Sequence, residues 1–263
     1  MKHILIAGAC VSLFISCNKE KGEYNPAVKA DLTVEFDNIA GSSDLVLNTA
    51  TYTNAAGQNF NVTKLKYYVS NFKLTNVDGS VYTVPQEDCY FLVDESVASS
   101  HQPPLKVPEG EYKTLSFMIG VDSLRNTMDV GQRTGVLDVS GQAADMYWSW
   151  NSGYIFFKLE GTSPSVLAPG NIFKYHIGGF GGYSTPTPNN LKTFTLDLTA
   201  RGTPKVKAGK ETNIHLMVDI MKTLNGINNI SLGTPAAEVH SPAAGTPMAD
   251  NYASMINHDH TEN

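Results

Sequence analysis

Only one cysteine, Cys89, lies beyond residue 17 of this 263-residue chain, so the body of the protein has no internal disulfide and must stand on its hydrophobic core. Cys89 falls in the apolar run Cys89–Val93, where a small buried side chain is the expected role. Clustered positive charge is missing as well. The 19 Lys and Arg are scattered among 25 Asp and Glu, for a net charge of −6. That balance excludes a phosphate-neutralising nucleic-acid face and a polybasic membrane contact. No nucleophile elbow, phosphate loop, dinucleotide fingerprint or zincin motif is present, and an enzyme is not expected. The glycine-rich stretch Gly178-Gly179-Phe180-Gly181-Gly182 follows a strand without opening a periodic helix, so it is no phosphate cradle. Long helical periodicity and internal repeats are also lacking.

What is present begins at the N-terminus. Met1-Lys2-His3 precedes an apolar core from Ile4 to Ile15, too short to span a bilayer permanently. Leu13-Phe14-Ile15-Ser16-Cys17 reads as a lipobox, whose cysteine takes a diacylglycerol; acyl chains contribute about 0.8 kcal/mol per buried CH₂. Cys10 is the rival site, with a shorter apolar core before it, and an ordinary cleaved secretory peptide is the alternative to lipidation. The expected organisation is a signal peptide over 1–16, a lipidated Cys17 with a polar tether over 17–30, and one β domain over 31–263. Such a protein is lipid-anchored in the cell envelope, on the periplasmic face or the outer-membrane surface.

Strand signals recur through the domain. Leu32, Val34 and Phe36 alternate with polar residues; Lys64 to Thr75 changes phase near Ser70-Asn71, which predicts a bulge. Asn76-Val77-Asp78-Gly79 is a turn leading to Val81–Val84. Further strands are expected over Cys89–Val93, Tyr112–Ile119, Tyr154–Leu159, Phe173–Ile177, Thr193–Leu198 and Ile214–Ile220. Long loops are expected over Ser96–Glu109, Gly178–Asn190 and Ile227–Pro247. Ala249, Tyr252, Ala253 and Ile256 fit a helix of about two turns. The fold class is all-β: one antiparallel sandwich or barrel-like domain with long loops and a short C-terminal helix.

Two constellations could carry chemistry. Asp145 to Gly161 holds both tryptophans, Trp148 and Trp150, spaced to project from one face of an extended strand. Core packing is the ordinary role of such residues; a redox-active or ligand-stacking pair is the sharper one. Histidines form the second lead. His176 stands at a strand end opening onto the glycine-rich loop, and His258-Asp259-His260 nearly closes the chain. An HxH pair can present both imidazoles on one side of an extended segment, as copper and zinc sites do, although a polar tail can equally be disordered. His215 faces away from the Ile214, Leu216, Val218 row. His101 and His240 sit in loops without a partner in sequence, and Asp122 and Arg125 are placed to pair locally.

Met146-Tyr147-Trp148-Ser149-Trp150-Asn151-Ser152-Gly153-Tyr154 resembles the tryptophan motif of the MbnP-like copper-binding proteins. Lys66–Phe72, Ile119–Asn126, Tyr175–Phe180 and Asp250–Met255 are similar, in the same order, to stretches of that family's lipoprotein branch from Bacteroidetes. The likeness runs from about Leu32 to His260. It implies an envelope β protein with copper as its ion, held in the characterised branch by two histidines and a tryptophan oxidised to kynurenine. It also implies a dihaem cytochrome c peroxidase-type partner for that oxidation. Carried over by position, His176 is the best-matched histidine, and Trp148 or Trp150 is the oxidisable residue. Where some copper-binding members place a histidine beside the tryptophans, this chain has Tyr147 and Ser149.

The expected function is copper binding for acquisition or storage, with His176, His260 and His258 as ligands near Trp148 and Trp150. The alternative is a non-metal or structural envelope lipoprotein, binding a glycan or protein partner, that has lost the copper site.

Overall fold

The computed structural model describes residues 24–233 and 237–263. The signal segment, Cys17 and the first part of the tether lie outside the described residues. Two sheets form the body. The smaller contains β1 (Lys29–Ala40), β2 (Ser43–Asp44), β7 (Pro104–Pro108), β14 (Asn213–Asp219) and β16 (Ile256–Glu262). The larger is built on β4 (Asn59–Asn76), with β8 (Gly110–Ile119) and β10 (Gly153–Thr162) beside it. It ends at β12 (Lys192–Asp197) on one side, and on the other runs through β11 (Ile172–Gly178) to β15 (Glu238–Val239). The short strands β3 (Tyr52–Thr53), β5 (Val81–Thr83) and β6 (Tyr90–Asp94) pair with β4, β9 (Tyr147–Trp148) with β10, and β13 (Lys205–Val206) with β8. The α-helices are short: α1 (Ser123–Thr127), α2 (Met221–Leu224) and α3 (Pro242–Tyr252). The all-β class is as expected. No described helix is long and apolar enough to cross a membrane.

Alternation makes the sandwich. Along β1, Ala30, Leu32, Val34 and Phe36 turn inward, and Phe36 sits edge-on to Tyr67 of β4 and Phe117 of β8, at 6.2 and 5.4 Å between ring centroids. Each such buried aromatic contributes about 1.5–3 kcal/mol. The bulge forms as the phase change predicts. Asn71 takes φ +57°, and the pairing with β8 slips between Ser70 and Lys73, returning Phe72 and Leu74 to the core. Cys89 is buried.

Three departures stand out, two of them in non-local pairing. β1 runs parallel to β14, within a sandwich expected to be antiparallel. The C-terminal tail is a strand, β16, on the edge of the smaller sheet. The helix starts earlier than its apolar spacing indicates: Ser241 caps it, Pro242 occupies the first turn, and Ile256 already belongs to β16.

A second, smaller core lies outside the sandwich. The segment from Val121 to Met146 folds over the outer face of β4 and β10, packing Val121, Leu137, Ala143 and Met146 on Tyr68, Tyr154 and Phe156. This cover explains why β10 is buried on both faces, as strands between two layers are. Asn126 locks it. Fully buried, it donates to the carbonyls of Val121 (2.6 Å) and Asp122 (3.1 Å) and accepts from the Tyr154 amide (3.0 Å). Asp122 does not form an ion pair with Arg125; its carboxylate caps α1 by accepting from the Arg125 backbone amide. Gly153, at φ +68°, leaves the room Asn126 needs, because a Cβ there would collide with the Asn126 side-chain oxygen.

Candidate metal centre

β9 and the turn after it hold the tryptophans against the second core. Trp148 and Trp150 stack at 4.9 Å between ring centroids, 25° from parallel. Trp148 is 8% exposed and Trp150 44%. The inner ring rests on β11, where a Cβ on Gly178 would meet Trp148 at 2.8 Å. Gly178 and His176 point to the same, outer face of β11, while Phe173, Tyr175 and Ile177 fill the sandwich core. His176 therefore stands one pleat from the residue beneath the tryptophan, roughly 7 Å along the strand.

Next to His176 is a residue the sequence did not single out. β15 pairs in parallel with β11, Lys174 opposite Glu238 and Tyr175 opposite Val239, which brings His240 alongside His176. Their rings meet edge to face at 4.5 Å. His176 Nε2 is 2.7 Å from the Glu160 carboxylate on β10. His240 Nε2 lies 3.3 Å from Glu238. Burial holds the His176 pKa down, to about 4, against the opposing Glu160 hydrogen bond, and the Lys158 ammonium and His240 push the same way as burial. Lys158 is buried; its ammonium meets the backbone carbonyl of Asp145 and lies 3.6 Å from that residue's carboxylate, which Lys64 and Lys66 share at 3.3 and 3.5 Å. The outer face of β10, β11 and β15 thus gathers two imidazoles, the Glu160 and Glu238 carboxylates, the Lys158 ammonium and a tryptophan pair. At neutral pH His176 is an uncharged imidazole with a lone pair to offer.

The C-terminal histidines go elsewhere. His258 is opposite Leu216 and His260 opposite His215, so Asp259 is the extra residue of a bulge in β16. The bulge breaks the strict alternation that an HxH spacing assumes. His258 is buried, 3.0 Å from the Thr261 hydroxyl, with its pKa lowered chiefly by burial. His260 is half exposed and stacks on His215 at 4.7 Å. Among the described residues nothing joins His176 to His258 or His260: β11 lies beside β15 in the larger sheet, and β16 beside β14 in the smaller.

The MbnP family model matches residues 29–251, from the first residue of β1 to the last turn of α3. The chain belongs to the MbnP family. A solved structure of MbnP from Methylosinus trichosporium is similar over 74% of this chain and 77% of its own, at a TM-score of 0.53 and 19% identity, a likeness of fold. No curated protein matches the chain. The matched span contains both tryptophans, His176 and His240, and ends before β16.

His240 was legible only in part. Glu238-Val239-His240 carries one buried apolar residue between two polar ones, followed by the Ser241-Pro242 helix start, a short-strand pattern that gives no hint of its partner.

Proposed function

We propose that this MbnP family member is a lipid-anchored envelope protein that binds copper at His176 and His240, beside Trp148 and Trp150, for metal acquisition or storage. One juxtaposition carries the reading: two imidazoles in edge-to-face contact at 4.5 Å, of which His176 stands on β11, the strand that also supports the tryptophan stack. The donor chemistry suits the ion. Imidazole binds both copper oxidation states, Cu(I) tolerates few ligands, and Glu160 offers a carboxylate oxygen should Cu(II) call for one. A dihaem peroxidase-type partner would reach Trp150 first, the exposed member of the pair.

The test exploits composition. Trp148 and Trp150 are the only two tryptophans, so indole emission reports on this corner alone. One equivalent of Cu(II) is expected to quench most of that emission. Copper that binds without quenching would place the ion elsewhere and remove the proposal.

A glycan- or partner-binding surface is the second reading, favoured by one observation. Trp150 and Tyr183 are both exposed, with Tyr147 near Tyr183, which suits a stacking platform. Copper-independent quenching by oligosaccharides would support it.

A further inference from the structure

We propose that His215, Asp259 and His260 form a second metal site, for a borderline divalent ion of the zinc class, on the outer face of the smaller sheet. This goes beyond the copper reading and does not rest on it. One ligand atom from each residue lies within 4.8 Å of the others. His215 and His260 are directly opposed across β14 and β16, and their rings stack. The bulge in β16 then adds Asp259 beside His260, the kind of local re-aiming for which bulges recur next to functional sites.

Distances and partners support the assignment. Tetrahedral zinc holds its ligands about 2.0–2.1 Å away, which sets ligand atoms roughly 3.3 Å from one another. His215 Nδ1 and Asp259 Oδ2 are 3.5 Å apart, and His260 Nδ1 is 2.8 Å from the same oxygen. His215 Nδ1 is buried and has no hydrogen-bond partner, although it faces that carboxylate. Two further carboxylates border the group: Asp37 at 3.6 Å from His215 Nε2 and Glu262 at 3.7 Å from His260 Nε2. Arg201, 3.6 Å from the other Asp259 oxygen, is the one cation in ion-pair contact with the group among the described residues. Two imidazoles and a carboxylate are a donor set for zinc and similar borderline divalent ions, unsuited to magnesium or calcium, which take oxygen ligands. Bound there, the ion would tie the C-terminal edge strand to β14.

Zinc titration of the purified protein by calorimetry tests this. The wild type is expected to bind zinc at this site, and His176→Ala to keep it, because His176 lies on β11 of the other sheet. His215→Ala and, separately, the more exposed His260→Ala are expected to weaken that binding by more than about 100-fold, beyond what loss of a merely orienting contact costs. Far-UV circular dichroism confirms that the variants are folded, and His260→Ala removes a half-exposed side chain that the core does not use. No zinc binding by the wild type overturns the proposal. So does full affinity in both alanine variants, or loss of the zinc in His176→Ala instead. Copper binding at His176 can fail while zinc is held at β16, and the reverse, so the two readings fall separately.

Discussion

Asn126→Asp is expected to lower the midpoint of thermal unfolding by about 10 °C, from a cost of roughly 3–5 kcal/mol. The change is isosteric, so the effect does not come from lost volume. Asn126 is fully buried, and its amide nitrogen donates to two backbone carbonyls, those of Val121 and Asp122. Aspartate would turn a charged oxygen toward them, leaving two acceptors without donors and a carboxylate without water. The Tyr154 amide would keep its acceptor, so the loss is confined to the donor side. Because Gly153 and Tyr154 close the turn that carries Trp148 and Trp150, near-UV circular dichroism should weaken before the far-UV signal does. A melting point within error of the wild type would mean that this asparagine does not hold the cover in place.

The second large effect concerns the metal. His176→Ala and His240→Ala should each weaken copper binding by more than about 100-fold, exceeding the 10–100-fold typical of residues that only orient a ligand. Neither change should destabilise the fold strongly, since both side chains lie on the outer face of the sheet while Tyr175 and Ile177 carry the packing. Trp150→Ala should leave affinity close to wild type, because the exposed ring makes its stacking contact with Trp148. Competition against a chelating dye measures all three. Wild-type affinity in both histidine variants would exclude the pair as ligands.

Local patterns read well from the sequence, and partners across the chain did not. The alternation in β1 and the break at Ser70-Asn71 appear as written, because a strand's inward row and a left-handed asparagine are properties of neighbouring residues. The parallel pairing of β1 with β14 joins residues nearly two hundred apart, from Thr33 with Asn213 to Ile39 with Asp219, and no local signal specifies it. The same limit governs the histidines. The outward face of His215 follows from alternation alone, yet its neighbour His260 depends on the register of β16, where a bulge sets Asp259 beside it. His240 has no visible partner in the sequence because it follows a strand only two residues long and meets His176 on another strand. Of the family-like stretches, the one ending at Asn126 and the one containing Gly153 meet as a clamp, so part of what makes the tryptophan segment recognisable is structural.

Diffraction from copper-soaked crystals, collected at the copper absorption edge, decides the location of the ion. An anomalous peak at bonding distance from the imidazoles of both His176 and His240, on the face that supports Trp148, is the predicted result. Density confined to His215 and His260, or absent from β11 altogether, would contradict the account.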